Sequence, residues 1–119
     1  TLFRSRQQRI EGTDKNFFRV TPSVFLSLFL YADYCIVSSF HGTAFSINFQ
    51  KNFLTITPGR FNSRVDNLLT LCNLKKKLVV DSSYDINDAF TDIDYSLVNK
   101  IIEEERQSSI DYLRNSLLL

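Results

Sequence analysis

Two short, mostly apolar runs, DYCIV at residues 33–37 and NFLTI at Asn52–Ile56, limit what this chain can become. Each is too short for a helix, is rich in β-branched and aromatic side chains, and lacks polar–apolar alternation. That pattern marks a strand covered on both faces, as in parallel sheets. Parallel neighbours need a crossover between them, and SSFHGTAFSINFQK fills the gap. Within it Phe45, Ile47 and Phe49 alternate as in a strand, whereas Phe45/Phe49 and Ala44/Ile47 pair at helical spacing. The crossover requirement selects the helix, opening near Gly42.

The same alternation runs through the rest of the chain. A short strand over residues 17–20 precedes TPSVFLSLFLY, where Thr21 reads as an N-cap and Pro22 as the first helical residue. Ser63 with Asp66 three residues on makes a capping box ahead of Val65, Leu68, Leu69 and Cys72 at i, i+3, i+4 and i+7. Asn73 suits a left-handed helix end. KLVV at residues 77–80 reads as a further strand. From Asp94 a long helix is expected to turn Leu97, Val98, Ile101, Ile102, Leu113 and Leu117 to the core and EEER to water. Strand and helix alternating four times predict one domain over residues 1–119: an α/β fold, with a Rossmann-like, mostly parallel sheet flanked by helices. The sheet is expected to run parallel through the strands near residues 17–20, 33–37 and 53–56, with SSFHGT at a carboxyl edge.

Composition excludes several classes. A net charge of +1 gives no global signal for nucleic acid. The local excess of Arg4, Arg6, Arg9, Lys15 and Arg19 over Glu11 and Asp14 reads as a solvated surface. Cys35 and Cys72 are distant and lie in apolar settings, unlike a CxxC metal or redox pair, so two buried thiols in a reducing compartment are expected. VFLSLFLYADYCIV is broken by Asp33 before it could span a bilayer, which makes the cytoplasm the default location. The chain starts at Thr1 and contains no methionine, so a piece of a longer protein is expected.

The strand end at SSFHGT carries the only histidine and one of three glycines. In α/β sheets ligands gather at the carboxyl ends of strands. A helix starting there offers free N–H groups and the positive end of its dipole, Gly42 lets a ligand approach, and anions are the natural guests. Ser38, Ser39 and Thr43 add hydroxyls, and His41 adds a group that carries protons near neutral pH. GRFNSR follows the next strand, so Arg60 or Arg64 could bring a planar fork of donors to the same edge. Each piece also has a plainer account. A lone histidine after a strand is as often a structural residue, a glycine there is commonly a turn, and the serines can simply cap. One histidine and two distant cysteines assemble neither a Ser-His-acid triad nor a metal set.

TPSVFLSLFLYADYCIVSSFHGTAFSINFQKNFLTI, then NSRVDNLLTLCNLKKKLV, then IDYSLVNKIIEEERQSSIDYL, resembles the C-terminal part of the polysaccharide pyruvyl transferase family. The likeness rests on an AD pair ending a helix, a strand, an SFHG-type motif, a buried strand and an arginine-bearing, leucine-rich helix. It implies the second Rossmann-like domain of a two-domain enzyme built like a B-type glycosyltransferase. It further implies transfer of a pyruvyl group from phosphoenolpyruvate to two hydroxyls of a glycan as a cyclic ketal. On that resemblance His41 is the catalytic residue, and Ser39, Gly42, Thr43, Arg60 and Arg64 bind the donor, with no metal or cofactor. The implied partners are phosphoenolpyruvate, a glycan acceptor and the missing N-terminal domain. The rivals are a non-catalytic anion- or glycan-binding domain of this fold and a glycosyltransferase half that binds a sugar nucleotide. No convincing acidic residue placed for a ribose follows SSFHGT, which counts against the latter.

Overall fold

The computed structural model describes all residues except 1, 4–10, 14, 18, 58–61 and 119. The chain forms two compact units, Thr1–Ala32 and Asp33–Leu119. In the first, β1 (Leu2–Phe3) pairs in parallel with β2 (Asn16–Phe17), and α1 covers Pro22–Tyr31. Helix α1 starts as expected. Thr21 is extended and accepts the Val24 N–H, and Pro22, whose φ is already helical, opens the first turn. The strand expected over residues 17–20 is corrected in two ways. It ends at Phe17, because Arg19 takes φ +50°, a left-handed conformation that cannot extend a strand. It also belongs to a separate two-stranded sheet.

The second unit carries β3 (Tyr34–Val37), α2 (Phe40–Asn48), β4 (Asn52–Ile56), α3 (Ser63–Leu71), a 3₁₀ turn (Lys75–Lys77), β5 (Leu78–Val79), α4 (Asn87–Phe90) and α5 (Tyr95–Leu117). Its three strands are all parallel in the order β3-β4-β5. The α/β class and the parallel pairing of the two apolar runs are therefore present, in a small sheet.

Register decides what the sheet buries. Cys35 lies opposite Phe53, Val37 opposite Thr55, and Thr55 opposite Leu78, so these side chains share one face. That face meets α2, where the Thr43 and Thr55 hydroxyls share a hydrogen bond of 2.9 Å. Phe53, Val65 and Leu69 are fully buried, and Cys72 and Ile47 nearly so. On the other face Ile36, on the edge strand, is 65% exposed while its neighbour Leu54 is buried.

Helix α3 begins one residue earlier than the capping-box reading requires. Asn62 is the N-cap, extended at φ −114°, and its Oδ1 accepts the Val65 N–H at 3.3 Å. Asp66 remains in the first turn, where a carboxylate complements the helix dipole, but it pairs with Lys75. Asn73 has φ +57°, the expected left-handed end.

Helix α5 is capped by Asp94, whose carboxylate accepts the Ser96 N–H at 3.1 Å. The Tyr95 hydroxyl donates to the Lys51 carbonyl and, at 3.4 Å, to that of Ser46. Burial, and to a lesser degree the nearby Cys35 and Cys72 thiols, push this phenol far above its ordinary range. Val98 is buried and Ile101 and Ile102 half-buried. The core role expected of Leu97, Leu113 and Leu117 is corrected: they are 48%, 56% and 81% exposed. Every described residue of α5 from Glu103 onward is exposed, so helical spacing alone turned those leucines to nothing.

Candidate functional site at the carboxyl edge of the sheet

β3 ends at Val37, and two residues later the chain turns into α2. Ser39 is the N-cap, extended at φ −122°, and its Oγ accepts the Gly42 N–H at 3.0 Å. Its carbonyl accepts the Thr43 N–H at 3.0 Å and the Thr43 hydroxyl at 2.9 Å. The helix thus opens at Phe40, two residues before the expected position. The first-turn N–H groups of Gly42 and Thr43 are used inside the protein, and those of Phe40 and His41 have no intrahelical acceptor. His41 is exposed at this edge, its ring 5.7 Å from that of Phe40 in an edge-on contact.

Gly42 and Thr43 sit deeper than a ligand contact would place them. Thr43 is fully buried, and its hydroxyl joins α2 to β4 through Thr55. Gly42 is a packing glycine: a Cβ there would lie 2.9 Å from the Val37 Cβ and 3.1 Å from the Ser39 Oγ. Its missing side chain lets α2 approach β3, which fixes the height of the loop above the sheet. Gly42→Ala is expected to destabilise the fold by about 1–3 kcal/mol, since the obstructing Val37 Cβ belongs to a strand and cannot swing away. The helix propensity gained, about 1 kcal/mol, offsets only part of this. Thermal or urea denaturation checks it, and a variant as stable as the parent would show that the strand yields.

Arg64, the second residue of α3, places its guanidinium carbon 4.2 Å from the centre of the Phe40 ring. This cation–π contact joins the first turn of α3 to the first residue of α2. Ser39, His41 and Arg64 are therefore assembled at one edge, with Gly42 and Thr43 beneath. Arg60 lies outside the described residues. Phe40 is the element that sequence reasoning missed. An aromatic side chain between a capping serine and a histidine was the available signal, but its partner lies far along the chain.

The remaining chemical groups are structural. Burial raises the Cys35 and Cys72 thiols, and for Cys35 a hydrogen bond with Ser46 and the charge of Lys51 oppose the shift. Lys77 is 4% exposed, and its ammonium donates to the carbonyls of Asp88 (2.7 Å) and Thr91. Burial lowers its pKa, against the opposing charges of Asp88 and Asp92. Among the described residues no three of His, Cys, Asp or Glu gather closely enough to hold a metal ion. No described helix is long and apolar enough to cross a membrane. Compared with known proteins, the chain matches no family model, no curated protein and no solved structure.

Proposed function

We propose that this chain is the donor-binding, C-terminal domain of a polysaccharide pyruvyl transferase, acting on phosphoenolpyruvate and two hydroxyls of a glycan. The observation that carries the reading is the Arg64–Phe40 contact, which brings a guanidinium to the helix start that also presents His41. A donor with one phosphate and one carboxylate needs at least two anion-binding elements close together. A fixed guanidinium and the orphan N–H groups of Phe40 and His41 supply them.

In this reading His41 protonates the enol methylene of the donor, which becomes a methyl group and leaves the adjacent carbon electrophilic. One glycan hydroxyl adds to that carbon and gives up its proton, which restores the imidazolium. The second displaces phosphate and closes the ketal, its proton leaving with the phosphate. The acceptor is held by the N-terminal domain that the resemblance implies.

Arg64→Ala in the longer protein that this reading implies is expected to weaken donor binding roughly ten- to hundredfold, the equivalent of a charge-assisted hydrogen bond of about 1.5–3 kcal/mol. Calorimetric titration with phosphoenolpyruvate, alongside a melting curve, measures affinity and folding separately. A folded variant whose affinity changes by less than about twofold, well under 1.4 kcal/mol, defeats the shared-anion arrangement.

A further inference from the structure

The Arg64 guanidinium stands over the Phe40 ring, and among the described residues it has no hydrogen-bond or ion-pair partner. Arg64 is exposed on the first turn of α3. A side chain of that length samples many rotamers in water unless something holds its end. Phe40 is in the opposite condition. It is half-buried as the first residue of α2, between the capping Ser39 and His41, so the helix start fixes where its ring lies. The His41 ring meets it at 79°, nearly at right angles. One aromatic ring therefore touches both groups that the site offers to an anion.

A ring and an anion do not compete for an arginine. The ring attracts the flat face of the guanidinium, and the N–H donors lie in the guanidinium plane, where a phosphate or carboxylate takes them in pairs. Leucine at position 40 would keep an apolar side chain there and lose the negative π face that draws the cation. We infer that Phe40 is a positioning residue of the anion site: its ring holds the Arg64 guanidinium at the helix start that presents His41, and it acts on the ligand through that arginine. The inference rests on the donor-site reading above. Holding the guanidinium in advance spares the ligand the cost of ordering a mobile side chain, which strengthens binding without adding a contact.

The test is a double-substitution cycle in the isotopically labelled 119-residue chain, titrated with phosphoenolpyruvate and separately with inorganic phosphate and read by amide chemical shifts. Phe40→Leu should weaken anion binding roughly two- to fivefold, the equivalent of a cation–π contact of about 0.5–1 kcal/mol, and Phe40→Tyr should keep the parental affinity. In the Arg64→Ala background Phe40→Leu should cause no further loss, since two residues acting as one unit are not additive. The Arg64 Nε–H proton should carry a ring-current shift in the parent and lose it in Phe40→Leu, a signature that general loosening of the fold does not produce. Should Phe40→Leu fail to fold, the parental ring-current shift and the affinity of Phe40→Tyr decide. The inference is overturned if Phe40→Leu binds as the parent does, if its loss is as large without Arg64, or if the parent shows no ring-current shift. Binding of phosphate but not phosphoenolpyruvate overturns the donor-site reading alone, and the cycle is then read with phosphate. Binding of neither anion overturns both.

Discussion

His41→Ala in the pyruvyl transferase that we propose should lower turnover by roughly two to four orders of magnitude, the usual contribution of a positioned general acid. His41 is exposed at the start of α2, so its removal leaves no cavity, and the fold should melt as the parent does. Steady-state kinetics with phosphoenolpyruvate and the glycan acceptor divide the possible roles. A fall in kcat and kcat/KM together assigns the imidazole to the transition state. A rise in KM with kcat unchanged makes it a donor-binding group only. A variant with parental kinetics removes the histidine from the chemistry, whereas a parent protein that transfers no pyruvyl group favours a non-catalytic binding domain on this fold.

Phe53→Ala is expected to cost about 3–5 kcal/mol, the range for deleting a large aromatic side chain from a core. Phe53 is fully buried on β4, the central strand, on the face that meets α2. A domain of this size has roughly 5–15 kcal/mol in total, so the variant approaches the limit of folding. Each kcal/mol lowers the melting midpoint by about 4–8 °C in a unit of this length, and the loss should be read as tens of degrees. Ile36→Ala is the internal control, because its side chain is 65% exposed on the opposite face and the change should fall within about 0.5 kcal/mol. If the two variants melt alike, the assignment of faces from the strand register is wrong.

What could be read from the sequence follows a physical division between local and distant causes. The strands at DYCIV and NFLTI were legible as continuous apolar runs, but cover on both faces holds only for β4, the central strand; β3 lies at the edge, with Tyr34 and Ile36 exposed. The crossover helix followed from chain connectivity, and Asn73 from its tolerance of positive φ. Capping chemistry was legible only to within a residue: Asn62 and Ser63 both cap well, and the backbone chose Asn62. The strand at residues 17–20 was misplaced because a single left-handed residue, Arg19, leaves no mark on an apolar pattern. Leu113 and Leu117 hold core spacing, yet periodicity does not reveal where the body they would pack on ends. Three consecutive lysines likewise do not announce that Lys77 is the buried one, since its carbonyl acceptors lie on Asp88 and Thr91. At the site, the position of His41 was readable, whereas the pairing of Phe40 with Arg64 is a long-range contact that no local pattern encodes.

Helix α5 is one element by hydrogen bonding but two by support. Its first two turns are pinned by the Asp94 cap, the Tyr95 hydroxyl and Val98, while everything from Glu103 to Leu117 faces water. At 15 residues that stretch is no longer than the roughly 12–15 at which isolated helices are marginal in water even for favourable sequences. Opening of the second half therefore costs little and does not require the sheet to open. Limited trypsin digestion should cut after Arg106 and Arg114 long before any bond within β3–β5, and the trimmed domain should keep its melting temperature. Deuterium uptake should step up sharply just past Ile102, which gives the protein a graded fringe instead of a single cooperative edge.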